Sequence, residues 1–200
     1  IYFNNVQQEA MFTLAHTAVV VAGRRTGKTH GVAAPRLLKN VQSMPRSSGG
    51  IVFPSYKRGL TNTLPGTLKA LADMGYHRNV HYVIGRKPDE KLGFAKPYTE
   101  PVSYEHVMTW YNGTVVYFIS QDIAGSSNSL TLDWLICDEA KFLNFDKLKD
   151  ETFPANGGIQ AHFGHIPYHH GMLIMSDMPT TKKASWFLKY KDEMDEDLIA

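Results

Sequence analysis

Three stretches of this chain carry residues at spacings that chemistry can use. The first is AGRRTGKT, residues 22–29, which follows a run of valines and sets Arg24, Arg25 and Lys28 close together. Like charges that near repel one another unless an anion joins them. Ala22, four residues, then Gly27, Lys28 and Thr29 fit the spacing of a phosphate-binding P-loop, and a strand before it with a helix after it is the context such a loop requires. Backbone N–H groups along Ala22, Gly23, Arg24, Arg25, Thr26 and Gly27, with the helix N-terminus, would cradle phosphate oxygens. Lys28 would reach the β and γ phosphates, and the Thr29 hydroxyl would ligate Mg²⁺. The anion predicted is a nucleoside triphosphate.

The second stretch, WLICDEA, is an apolar strand ending in adjacent carboxylates, Asp138 and Glu139. Asp138 would hold the Mg²⁺ hydration shell, and Glu139, one residue further out, would polarise a water for attack on the γ phosphate. That chemistry is hydrolysis. A P-loop kinase has no need of the second carboxylate there. The distance from Lys28 to Asp138 leaves room for further strands between loop and acids. The third stretch, LIMSDMPTT, ends a strand on Ser176 and Asp177. A polar residue at that tip, beside the acidic strand, is placed to sense the γ phosphate and relay its loss.

These groups need a scaffold, and the pattern of the chain supplies one. Short apolar runs at 19–22, from Gly49, from Val80, from Asn112, from Thr131 and from Gly171 read as strands. The 19–22 run is of the kind buried on both faces. Residues 28–40 read as a helix in which Pro35 predicts a kink or break, at about 3 kcal/mol if forced straight. A second helix is predicted to start near Pro65, apolar at Leu68, Leu71, Ala72 and Met74, and to be capped by Gly75. Residues 85–101 read as a loop. Near the end, Trp186, Tyr190, Met194 and Leu198 fall at four-residue steps, one side of a helix that packs on the core and is expected to run on past Ala200. Strands alternating with helices predict an α/β domain with a mostly parallel central sheet flanked by helices.

The 200 residues, 43% apolar, suit one globular domain spanning 1–200. No apolar run approaches the ~20 residues of a membrane helix, and no leader peptide is visible, so a soluble protein is expected with no membrane partner. The single cysteine, Cys137, reads as a packed hydrophobe in a reducing compartment. The net charge of +2 conceals a split: residues 1–100 hold 14 Lys/Arg against 5 Asp/Glu, and residues 101–200 hold 7 against 14. A polyanion site in the first half and interleaved surface charge both produce such a split. Lys57 and Arg58 in SYKRG suit a nucleic-acid phosphate backbone or a solvated helix entrance equally. His162, His165, His169 and His170 count like metal ligands, but Pro167 and aromatics intervene and no cysteine or nearby carboxylate joins them, so a metal there is not favoured.

Together the residues resemble the ATPase domain of the terminase large subunit, the motor that packs DNA into tailed bacteriophage heads. The resemblance lies in AGRRTGKT with an arginine inside the loop, FPSYKRG after the second strand, NGTVVYFIS, GSSNSLTLDWLICDEAKFLN and SDMPTT, in that order over nearly the whole chain. It implies a P-loop NTPase of the additional-strand class, with ATP and Mg²⁺ as ligands and Arg24 as the loop arginine that contacts the γ phosphate. It also implies an adenine-contacting glutamine upstream of the loop, Gln7 or its neighbour Gln8. The family's third motif has Ser/Thr followed by Thr-Pro, whereas Ser176 is followed here by Asp177 and Met178. Double-stranded DNA, a portal protein and a small terminase subunit are the implied partners, with a ring formed only on the procapsid. The implied location is the portal vertex in the cytoplasm of an infected bacterium. The family's C-terminal nuclease is expected to be absent from this chain, which alone should not cut DNA and should be a monomer. Arg25 suits a neighbouring subunit, DNA, or balance of the acidic half. A helicase-like translocase, or a nucleotide-gated binding module without turnover, would share the same loop.

Overall fold

The six apolar runs and one further strand form a seven-stranded sheet: β1 (Thr17–Val21), β2 (Ser48–Phe53), β3 (Tyr82–Ile84), β4 (Val107–Trp110), β5 (Val115–Ser120), β6 (Trp134–Cys137) and β7 (Gly171–Ser176). This is a computed structural model that describes residues 3–194 apart from 124, 126 and 128. The strand order is β1-β7-β6-β2-β5-β4-β3. The first five in that order pair in parallel and the last two join antiparallel. The strand β7 lies between β1, which leads into residues 22–29, and the acidic strand β6. Among the described residues no helix is long and apolar enough to cross a membrane.

Alternation along the central strands sends side chains to two apolar clusters, one on each face. Ile51, Phe53, Trp134, Ile136, Leu173 and Met175 belong to the first. Val52, Leu135, Cys137 and Ile174 belong to the second. The first face is covered by α2 (Ala34–Ser43) and α4 (Leu64–Asp73), the second by segments after β6 and by a 3₁₀ helix, Lys183–Glu193. Cys137 is buried, and burial, reinforced by the neighbouring Asp138 charge, pushes its thiol up to about 12. It is an inert core residue, as the sequence suggests.

Four expectations need correction. β1 is half-buried along its length because it is the edge strand, with a partner only on the β7 side. β4 is a strand that the apolar runs do not mark; it forms a hairpin with β5 through Asn112-Gly113, where Gly113 adopts φ +85°. Pro65 does lie in the first turn of α4, as expected, but neither it nor Pro35 interrupts the helical run that reaches it. A wide π-turn, Thr29–Ala33, runs into α2, and another, Gly59–Thr63, links α3 (Tyr56–Arg58) to α4. A third, Leu148–Thr152, lies between α5 (Phe145–Lys147) and α6 (Phe153–Ala155). In each, the residue before a proline donates its N–H five positions back: Ala34 to Thr29, Leu64 to Gly59, Phe153 to Leu148. One carbonyl is skipped where Pro35, Pro65 or Pro154 has no N–H to offer, and the helix continues.

The last correction concerns the C-terminal stretch. It is wound as 3₁₀, about three residues per turn, so four-residue steps do not share one side. Trp186 and Phe187 are buried, while Met194 is half exposed. Leu198 and the acidic residues Asp195, Glu196 and Asp197 lie outside the described residues.

The sheet's opposite end is pinned by Asp133, fully buried, whose carboxylate accepts the N–H groups of Ser48 and Ile159, each at 2.8 Å. His169 Nε2 stands 3.4 Å from that carboxylate. A carboxylate does therefore join the histidine cluster, from a strand the sequence pattern does not link to it. His162 instead stacks on Tyr98 at 4.1 Å. Among the described residues no three His, Cys, Asp or Glu side chains gather to hold a metal.

Candidate active site

Parallel strands bring their C-terminal ends to one rim, and there β1, β6 and β7 release the three predicted stretches, with the segment after β2 beside them, around a cleft of about 600 Å³. Arg24, Arg25, Thr26, Gly27, Lys28 and Thr29 form one wall, with Asp138, Glu139 and Asp177 beside them. Within the loop, Arg25 at φ +60° and Gly27 at φ +79° are left-handed. Such residues among right-handed ones are the backbone pattern of an anion-binding nest. The Lys28 ammonium lies across the loop, donating to the Ala22 and Gly23 carbonyls at 2.7 Å each. An ammonium has three donors, so one is left.

Ala22, Gly23 and Ser176 underpin the cleft without lining it. The Ala22 N–H donates to the Ser176 carbonyl at 3.1 Å, which extends the β1–β7 ladder past the end of β1. The sequence leaves Gln7 and Gln8 open, and the structure separates them. Both belong to α1 (Asn5–Phe12). Gln7 Nε2 donates to the Thr26 and Gly27 carbonyls at 3.3 and 3.4 Å, and its Oε1 accepts the Asn4 N–H in a capping box. Gln8 turns back to the Phe3 carbonyl. Gly31 makes room for Gln7: a Cβ there would stand 2.3 Å from the Gln7 amide carbon.

Asp138 Oδ1 accepts the Glu139 N–H at 2.8 Å. Burial pushes the Asp138 carboxyl up to about 6; the Glu139 charge adds to this, while the Glu139 N–H, the Thr63 side chain and the Lys28 charge oppose it. Glu139 has φ +52°, a conformation uncommon for a residue with a side chain and concentrated at functional positions. The turn Ala140–Phe142 follows.

Asp177 joins all three stretches. Its carboxylate takes Arg24 Nε at 3.0 Å and Lys141 Nζ at 2.6 Å. Burial alone would raise its pKa, but hydrogen bonds from Lys141 and Arg24, with their charges, outweigh that and hold it below the usual carboxylate range. The Lys141 backbone N–H also donates to Ser176 Oγ at 3.2 Å. The acidic turn is thus tied at two points to the end of β7. Arg24 uses Nε in this pair, which leaves its outer guanidinium edge to the cleft.

Sequence reasoning missed the wall opposite the loop. Arg58, Asn62, Thr63, Gly66 and Lys69 line it, all from the helical run after β2. Only Arg58 carried a signal, as a cation suited to a nucleic-acid phosphate backbone or a solvated helix entrance. Thr63 reaches Asp138 from a π-turn that no propensity pattern marks. Lys141 escaped notice because it reads as an ordinary turn lysine.

No protein-family model matches the chain, and no curated protein matches it either. Solved structures do. The large terminase ATPase domain of Thermus phage P74-26 aligns with a TM-score of 0.58 and 16% identity, covering 94% of this chain and 69% of that one. The large terminase of a second thermophilic bacteriophage aligns at 0.60 and 13%, covering 98% of this chain and 44% of that one. The complex of that second terminase with ATP-gamma-S aligns at 0.60 and 11%, covering 96% and 43%. The chain therefore has the fold of phage large terminase ATPase domains and spans less than half the length of the second terminase.

Proposed function

We propose that this chain hydrolyses ATP as the motor domain of a terminase-type machine that translocates double-stranded DNA into a procapsid. The observation that carries the reading is one cleft in which a P-loop and two adjacent carboxylates at the end of β6 face each other, with β7 between their strands. ATP-gamma-S and ADP complexes of a protein with this fold support a nucleotide as the occupant.

Each residue then has a task. The nest and Lys28 bind the phosphates, and Gln7, fixed against the loop, is the adenine contact. Arg24, steadied by Asp177, presents its free edge to the γ phosphate. Glu139 accepts a proton from the attacking water, its left-handed backbone setting the carboxylate apart from that of Asp138. A hydroxyl and a carboxylate are the hard oxygen donors Mg²⁺ takes while keeping several waters, and Thr29 and Asp138 supply them on one cleft. The raised pKa of Asp138 marks a buried charge that a cation would relieve. When bound, Mg²⁺ neutralises charge on the β and γ phosphates. Ser176 and Asp177 would pass the change in the cleft to the acidic turn through Lys141. A portal protein, a small terminase subunit and neighbouring copies in a ring on the procapsid complete the proposed assembly.

Steady-state phosphate release, with and without double-stranded DNA, tests the proposal. Turnover abolished by Lys28→Ala and stimulated by DNA is expected. Tight ATP binding without turnover in any of these conditions would identify a nucleotide-gated binding module instead.

A further inference from the structure

One arginine in the cleft is explained by neither the loop nor the acids. Arg58 sits on the wall opposite the P-loop, in the same cleft as Lys28, Asp138 and Glu139. Arg24 is tied to Asp177 and Lys28 to loop carbonyls. Arg58 makes no ion pair and no side-chain hydrogen bond among the described residues. What holds it is Phe142, whose ring centroid lies 4.6 Å from the guanidinium carbon. Phe142 ends the turn that begins at Glu139.

Stacking fixes an arginine in a particular way. A ring that covers one face of a guanidinium leaves its five N–H donors pointing outward in the plane. The Arg58 backbone is fixed as well. Its N–H donates to Ser55 Oγ at 3.2 Å, and Gly59 packs so closely on Phe53 that a Cβ there would stand 2.3 Å from the ring. An exposed guanidinium over an aromatic ring, a backbone held on both sides and a planar donor set with no partner among the described residues, in one cleft with two carboxylates, together describe a group available to an anion.

We infer that Arg58 is a second arginine for the triphosphate, acting within the same chain on the terminal phosphate. This rests on the nucleotide reading above and adds to it a contact from the wall across the cleft. The terminal phosphate is the one implicated because Phe142 places the guanidinium on the acidic side of the cleft, where the water-activating Glu139 stands. A charge-assisted contact confined to that phosphate distinguishes ATP from ADP.

The test measures binding of ATP-gamma-S and ADP, both with Mg²⁺, by calorimetry, alongside phosphate release, for the parent, Arg58→Ala, Arg58→Lys and Lys28→Ala. Arg58→Ala is expected to weaken ATP-gamma-S about tenfold or more, the size of a lost hydrogen-bonded charge, and to leave ADP within about twofold. Arg58→Lys should recover part of the loss, and it serves as the measure if the alanine variant does not fold. Equal effects on both nucleotides, or none, overturn the inference. So does a loss confined to affinity for double-stranded DNA with a shallower salt dependence, which would make Arg58 a DNA backbone contact. Failure of the nucleotide reading looks different: the parent itself would not bind ATP-gamma-S, or Lys28→Ala would bind it equally well.

Discussion

Replacing Asp138 by Asn should make the free protein more stable while removing the proposed Mg²⁺ ligand. The carboxyl is held at about 6 in the folded chain against 3.8 for an unperturbed group. Between those values the folded state binds more protons than the unfolded one, so stability falls as pH rises through the window. Above about pH 6 the whole cost is present, and at ~1.4 kcal/mol per unit it amounts to about 3 kcal/mol. An amide carries no charge to desolvate, and its oxygen can still accept the Glu139 N–H. The variant should therefore gain about 1–3 kcal/mol at pH 7.5, a rise of several degrees in Tm for a chain this long. Towards pH 4 parent and variant should converge, since the cost of the buried carboxylate is lost as it takes up its proton. Thermal unfolding followed by circular dichroism over pH 4–8, without Mg²⁺ or nucleotide, measures the difference. Saturating ATP-gamma-S with Mg²⁺ should reverse the order, because binding to the folded state stabilises the parent in proportion to its affinity. A variant no more stable than the parent at pH 7.5, or a difference that does not change between pH 4 and 7.5, would refute the argument that burial strains this carboxylate.

Further outcomes follow from the same geometry. Glu139→Gln should bind ATP-gamma-S as tightly as the parent while phosphate release falls by about 10²-fold or more, because a general base acts chiefly in the transition state; parental turnover would place water activation elsewhere. Gly31→Ala should displace the Gln7 side chain from the loop and weaken adenine nucleotides relative to inorganic triphosphate, whereas Gln8→Ala should leave that ratio unchanged, both read by competition binding. Trp186→Ala should cost about 3–5 kcal/mol in denaturant unfolding, since this buried indole stacks on Phe145 and donates to the Ala140 carbonyl behind the acidic turn.

What could be read from the sequence, and what could not, divides along one physical line. The loop 22–29, the acids of β6 and the pair Ser176-Asp177 were legible because each ends a short apolar strand, and a parallel sheet gathers such ends on one rim. The opposite wall was hidden by its prolines. Pro65 is read as a helix start because a proline inside a helix removes a donor, and that leaves Thr63 ahead of the helix with no tie to Asp138. The π-turn Gly59–Thr63 changes the outcome: with Leu64 donating to Gly59, the helix passes through the proline unbroken, and Thr63 comes to Asp138. The same device before Pro35 carries the helix after residues 22–29 onward into the core, and before Pro154 it carries the segment behind β6. A wide turn is detectable only from a hydrogen bond between residues five apart, which no side-chain periodicity encodes. Where the turn adjoins the site, it also sets which residues face the cleft. The sequence shows where the strands end, and the π-turn determines which residues stand opposite them.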